Sequence, residues 1–225
     1  MVAARDEAQR IAATNAALER AFPGAQTWVA DDGSSDATAE IARCAGARVV
    51  RSERVIGKGG AVSAAAHAAL ASPAGAAQAD RDPTVFVLCD GDLADSASEL
   101  GPLVAAVAAG QADLAVAVFS RRVGGGLGLA LGFARWAIRR RCGFLARAPI
   151  SGQRALTRRA LVDVLPLAHG YGMEIGMTID AVRAGRRVIE LELDLSHRVS
   201  ARTPRGFLHR ARQLVDFVRV YLARA

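Results

Sequence analysis

The stretch VFVLCDGDLADS, residues 85–96, passes from an apolar run directly into three carboxylates. Thr84 to Cys89 are apolar or β-branched and sit between a turn-forming stretch and acids, the pattern of a buried strand. In open parallel sheets ligands bind beyond the carboxyl ends of the strands, so Asp90 and Asp92 stand where a cleft is expected. Two residues apart on extended chain, they point the same way, unless Gly91 turns the backbone more sharply. Carboxylate oxygens in this position suit Mg2+ or Mn2+, completed by phosphate oxygens and water. The competing reading is helix capping or turn formation, and a DxD alone does not separate the two.

Working outward, strands alternate with helices. Ile11, Ala12, Leu18 and Phe22 are spaced as on a helix that stops at Pro23-Gly24, and Trp28 to Ala30 reads as a strand entering DDGSSD, residues 31–36. A helix over 37–45, a strand over 47–50 and an alanine-rich helix opened by Gly57-Lys58-Gly59-Gly60 follow. Ser72 to Pro83 reads as an exposed connection. Beyond the acidic stretch come a helix over about 96–109 and a strand over 114–119. The second half predicts a helix from Gly124-Gly125-Gly126 to near Arg141 and helices around 156–165 and 171–184. A strand over 187–195 and a basic amphipathic helix over 207–222 complete it. Such alternation implies an α/β sheet with helices on its faces.

The 225 residues, 52% of them hydrophobic, suffice for one substantial core. The net charge of +7 is almost all arginine, since Lys58 is the sole lysine. Such charge favours solubility and attraction to phosphates without naming a partner. Two Trp, two Tyr and no reading motif argue against nucleic acid. Cys44, Cys89 and Cys142 show no ligand spacing and are expected to be reduced, mostly buried thiols. No apolar run reaches the length of a membrane span, and the first residues carry no apolar signal core. A cytoplasmic protein is the expectation, with contact at the inner face of the membrane left open.

Two further motifs stand at strand ends. Asp31 or Asp32 can accept a hydrogen bond from a base imide, while Gly33-Ser34-Ser35 turns with little bulk and Ser35 or Asp36 can cap the next helix. Gly57-Lys58-Gly59-Gly60 presents backbone amides and the sole lysine near a helix start, a geometry that can favour an anion, a flexible surface turn being the competing reading. It lacks the P-loop pattern, and no early GxGxxG is present.

Together VADDGSSD, IGKGGAV and VLCDGDL resemble the family 2 nucleotide-sugar glycosyltransferases of the GT-A fold, in which DDGS-D, GKG and DxD follow one another along the chain. The resemblance implies a single GT-A domain over residues 1–225 with a mostly parallel central sheet. Residues 1–119 would form the nucleotide-sugar and metal half, and 120–225 the acceptor half with the C-terminal amphipathic helix. It places Asp31 at the nucleobase, with Asp32 beside it, and Lys58 on the nucleotide side. Asp92 becomes the principal metal ligand and Asp90 its diphosphate-side companion. VAARDE resembles the end of the family's first strand, which is expected to be truncated here because so little chain precedes it.

The second half is similar to glucosyl-3-phosphoglycerate synthases through Pro149-Ile150-Ser151-Gly152-Gln153, GYGMEIGMTID and DLSHR. Ser151 and Gly152 are thereby expected on the acceptor side, and His197 as a third metal ligand or diphosphate contact; imidazole permits either. Glu174 lies in a block from which a base for the attacking hydroxyl can come, or acts only as a helix-start acid. Arg121 and Arg122 can clamp an acceptor phosphate with paired guanidinium contacts, or belong to a solvated loop.

The implied reaction moves a hexose, first of all glucose, from UDP-glucose to a hydroxyl. The bearer is a small phosphorylated or polyprenyl-phosphate acceptor, and the released diphosphate is neutralised by Mg2+ or Mn2+. A magnesium-dependent phosphotransferase or phosphohydrolase and a non-catalytic basic nucleotide or nucleic-acid-binding module are the competing classes. The C-terminal helix, with Phe207, Ala211, Leu214, Val218 and Tyr221 on one side, is expected to cover the core, a peripheral membrane contact being the alternative. Oligomeric state is not encoded in any of these features.

Overall fold

The computed structural model of the protein describes residues 1–73, 75, 84–119, 128–195 and 204–224, the last segment with side chains from residue 213 onward. Seven described strands, β1 (Val2–Ala4), β2 (Trp28–Asp31), β3 (Arg48–Arg51), β4 (Val85–Asp90), β5 (Leu114–Phe119), β6 (Arg154–Thr157) and β7 (Val188–Leu193), form one sheet in the order β3-β2-β1-β4-β6-β5-β7. All pairings are parallel except those of β6, which runs antiparallel to both β4 and β5.

β1 is short, as the sequence suggests, yet it lies between β2 and β4 and is paired along both edges. Cys89 N donates to Met1 O at 3.1 Å, Gly91 N to Ala3 O at 2.8 Å and Asp32 N to Ala4 O at 3.0 Å. The backbone groups that a missing central strand would leave unpaired are therefore matched.

The described helices are α1 (Ile11–Ala21), α2 (Thr38–Cys44), α3 (Lys58–Ala71), α4 (Gly101–Ala108), α5 (Leu129–Cys142), α6 (Arg158–Val164), α7 (Met173–Arg183) and α8 (Pro204–Ala223). 3-10 turns precede α4 at Ala94–Leu100 and α7 at Gly170–Gly172. Strand alternation divides the core in two. Val29, Cys89 and Ala115 face Ile11, Leu100, Leu103 and Val107 on one side; Ala30, Leu88, Val116 and Leu156 face Val62, Met173 and Met177 on the other.

Three expectations are corrected. Leu156, read as the start of a helix, belongs to β6, and the helix begins two residues later at Arg158, with Thr157 Oγ1 accepting from Ala160 N at 3.1 Å. The exposed connection starts buried: Ser72 and Gly75 are covered, with Gly75 N donating to Ser72 Oγ, and residues 74 and 76–83 lie outside the described residues. The thiols do not share one environment, for Cys89 is buried, Cys142 half-buried and Cys44 exposed.

α8 covers the core as expected, through a stripe that keeps Tyr221, packed on Phe133 and Trp136, and half-buried Leu214 but is turned from the expected one. Phe217 and Val220 are buried against Ile138, Ile175 and Ile179, whereas Val218 stays exposed. Arg224 closes the contact with a bidentate pair to Asp180, at 2.7 and 2.5 Å. Phe207 and Ala211 carry no described side chains. Among the described residues no helix is long and apolar enough to cross a membrane.

Candidate functional site

The ends of β2 and β4 flank β1, with Ala4 in register with Asp31 and Ala3 with Asp90, so the two acidic motifs open onto one edge of the sheet. Asp31 is fully buried. Its Oδ1 accepts from Ser34 N at 2.9 Å and Ser34 Oγ at 2.5 Å, and Arg51 Nε stands 3.4 Å from Oδ2. Asp32 turns the other way and accepts from Ile56 N at 2.7 Å and Gly57 N at 3.0 Å, tying the DDGSSD turn to the loop that starts α3. Gly33 is required between them: its φ is +67°, and a Cβ there would lie 3.0 Å from the backbone of Arg54 and Val55.

VAARDE is stitched onto the same turn. Asp6 N donates to Ser34 Oγ at 3.0 Å, Ser35 N to Asp6 Oδ1 at 2.7 Å, and Glu7 N to Thr38 Oγ1 at 2.8 Å. Asp36 does not cap α2 from the cap position, which Ala37 occupies; it accepts instead from Thr38 N and Thr38 Oγ1. The Thr38 hydroxyl holds its carboxyl below the usual range.

Lys58, the first residue of α3, carries its ammonium to the end of β4. Nζ lies 2.6 Å from Asp90 Oδ1 and 2.7 Å from Glu174 Oε1. Burial works to lower the ammonium's pKa, but the Asp90 and Glu174 carboxylates outweigh it and hold the group above its ordinary value. Asp90 also accepts from Gln153 Nε2 at 2.8 Å, and Ser151 Oγ donates to Gln153 Oε1 at 3.3 Å. Gly152 lies so close that a Cβ would stand 2.6 Å from Lys58 Nζ and 2.7 Å from Asp90 Oδ2.

Glu174, 5% exposed, is delivered by the first turn of α7. Asp92 is half-buried two residues beyond β4. The fold thus gathers Asp31, Asp32, Lys58, Asp90, Asp92, Ser151, Gly152 and Glu174 on the elements that meet at this edge. Arg121, Arg122 and His197 lie outside the described residues. The sequence reading quotes Gln153 without giving it a role and passes over Arg154; recognising β6 as a strand between β4 and β5 would have found both.

Among the described residues no three His, Cys, Asp or Glu side chains form a metal cage. Asp90 and Asp92 nevertheless provide a pair of hard oxygen donors, which suits an ion that draws the rest of its shell from phosphate oxygens and water. The residues present therefore fit Mg2+ or Mn2+ bound together with a phosphorylated ligand.

No curated protein matches the chain in sequence. Solved structures of glucosyl-3-phosphoglycerate synthase from Mycobacterium tuberculosis are similar to it over 99% of its length. The complex with Mn2+, UDP-glucose and glycerol 3-phosphate is 26% identical, 78% covered, with a TM-score of 0.73. The complex with Mn2+, UDP-glucose and phosphoglyceric acid is 26% identical, 77% covered, with a TM-score of 0.74. The complex with Mg2+ and UDP is 27% identical, 77% covered, with a TM-score of 0.74. Residues 1–164 match glycosyl transferase family 2, a span that includes every strand-end motif described above, and the chain belongs to that family, with the GT-A fold.

Proposed function

We propose that this glycosyltransferase moves glucose from UDP-glucose to the hydroxyl of a small phosphorylated acceptor, with Mg2+ or Mn2+ as cofactor. The observation that carries the reading is the meeting of Asp31, Asp32, Lys58 and Asp90 at one sheet edge, in a fold whose solved relatives hold UDP-glucose and Mn2+. Residues 1–119 would bind donor and metal, and residues 120–225 the acceptor.

In this reading Asp31 and the turn it organises recognise the base, and Asp32 shapes the loop ahead of Lys58. Asp90, Asp92 and His197 would hold the metal, which when bound supplies positive charge against the departing diphosphate. Lys58 brings a further fixed cation to that side of the cleft. Glu174 is engaged by Lys58, and we assign it to setting the ammonium's position. Ser151 and Gly152 face the acceptor side, with Arg121 and Arg122 as candidates for its phosphate. Both reactants are water-soluble, which accords with a cytoplasmic enzyme.

The test is a donor and acceptor screen with the products identified by mass spectrometry. UDP-glucose with 3-phosphoglycerate or glycerol 3-phosphate should yield UDP and an intact glucosylated acceptor. Transfer only to a polyprenyl phosphate would replace the small acceptor; UDP release without a glycosylated product would sink the transfer reaction. Nuclear magnetic resonance of the product reads the anomeric outcome. Turnover of His197→Ala should change its ratio between Mg2+ and Mn2+, and a wild-type ratio would remove His197 from the metal site.

A further inference from the structure

Arg154 occupies the centre of the sheet, opposite Leu88 of β4 and Val116 of β5, and is 0% exposed. Its Nε donates to Ser151 O at 2.8 Å, and its Nη1 donates to Thr178 Oγ1 at 3.0 Å. Thr178 Oγ1 in turn donates to Glu174 O at 3.0 Å. One guanidinium therefore joins the Ser151-Gly152-Gln153 segment, whose Gln153 holds Asp90, to the turn of α7 whose Glu174 holds Lys58.

We infer that Arg154 is a positioning residue: it fixes the separation of these two segments and so sets the Lys58, Asp90 and Glu174 constellation from behind. Stability alone gives no reason for a guanidinium here. Among the described residues Nη2 is buried without a hydrogen-bond partner, and an unmet donor on a buried charge is costly, whereas apolar residues of similar volume commonly replace buried ions without loss. Burial pushes the group down to about 10, against the opposing pull of Glu174 and Glu190, so it remains charged at neutral pH. A planar fork also suits the task, because Nε and Nη1 point to different partners in one rigid plane.

The inference rests on the glycosyltransferase reading only for its kinetic arm. Lys58 is the sole lysine, so selective 13C and 15N labelling of lysine gives a single side-chain spectrum that reports this constellation without any turnover. In Arg154→Met and Thr178→Val the Lys58 ε-methylene resonance should move toward that of free lysine. Arg154→Lys, which can keep one of the two bonds, should fall between wild type and Arg154→Met. Val107→Ala, in the core on the opposite face of the sheet, should lower the Tm and leave the resonance in place.

With UDP-glucose and the acceptor found by screening, kcat of Arg154→Met should fall about tenfold to a hundredfold, the cost of slight misplacement, with UDP affinity changed far less. An unmoved Lys58 resonance in folded Arg154→Met, or an equal shift in Val107→Ala, overturns the inference. Should Arg154→Met fail to fold, Thr178→Val decides by the same readout. If the wild-type enzyme transfers no sugar, the functional reading fails while the Lys58 resonance still decides the positioning role.

Discussion

Lys58 Nζ stands 2.6 Å from Asp90 Oδ1 and 2.7 Å from Glu174 Oε1, so one ammonium joins the end of β4 to the first turn of α7. A pKa raised on folding contributes stability that is fully present below the unfolded value and lost only as pH rises through the folded one. Desolvation opposes that shift here, and the two carboxylates exceed it, so the pairing persists through neutral and mildly alkaline pH. Lys58→Met strands two carboxylates in a largely covered site and should cost on the order of 2 kcal/mol, somewhat less than breaking a fully buried pair. Sugar transfer should fall roughly a hundredfold. Urea denaturation and initial rates on the same preparation check both; wild-type turnover would remove Lys58 from the mechanism.

Gly152 and Gly59 make contrasting tests. A Cβ at Gly152 would enter the space between Lys58 Nζ, 2.6 Å away, and Asp90 Oδ2, 2.7 Å away, where side-chain tips can yield. Gly152→Ala should therefore cost about 1 kcal/mol or less in stability while turnover falls by about tenfold or more. At Gly59 the same Cβ would lie 1.8 Å from Ala168 O, a backbone atom that cannot yield without moving its segment. Gly59→Ala should cost about 3 kcal/mol, seen as a lower urea midpoint. Equal stability losses in the two variants would contradict this distinction.

The sheet edge was legible because buried strands announce themselves as short apolar runs and the acids follow them directly: Val85 to Asp90 is β4, and Trp28 to Asp31 is β2. β6 was hidden for a physical reason. Its ladder is antiparallel between two other strands, and its charged Arg154, satisfied in part by Ser151 O and Thr178 Oγ1, breaks the apolar signature of a central strand. The association of Glu174 with Lys58 was equally hidden, since the two are 116 residues apart and only the packing of α3 against the 3-10 turn that leads into α7 unites them. The inward face of α8 is turned from the expected one because the helix carries apolar residues on two sides: Phe217 and Val220 are buried and Tyr221 packs on Trp136, while Val215, Val218 and Leu222 are exposed.

Cys89 gives the fold an alkaline sensitivity. Burial pushes its thiol up to about 12 from an ordinary 9.0, with a smaller opposing pull from the N-terminal ammonium. The folded-state value is the raised one, so this contribution is complete below pH 9 and is lost progressively toward pH 12, as the unfolded chain gains thiolate first. The slope attributable to one such group approaches 1.4 kcal/mol per pH unit, about the energy of one pKa unit. Cys89→Ala should be less stable at neutral pH by about 1 kcal/mol, through lost packing, and should lose less on going from neutral to strongly alkaline pH. Urea titrations of both proteins across that range decide it, and parallel curves would refute the assignment.

Asp90 and Asp92 separate fold from chemistry. Asp90 holds Lys58 and Gln153, so Asp90→Ala should lower both the urea midpoint and sugar transfer. Asp92 lies half-buried two residues beyond the strand, and Lys58 keeps its Asp90 and Glu174 partners when Asp92 is replaced. Asp92→Ala should leave a folded protein and lose about a hundredfold to a thousandfold in turnover, the scale on which an interaction developed with leaving-group charge is felt. Chelation with EDTA should abolish transfer in the wild-type enzyme, and added Mg2+ or Mn2+ should restore it. Calorimetry with UDP then distinguishes the two acids, since Mg2+ should strengthen UDP binding in the wild type and much less in Asp92→Ala. Metal-enhanced UDP binding that survives in Asp92→Ala would move the cation away from this residue, and full transfer in EDTA would exclude a metal from the reaction altogether.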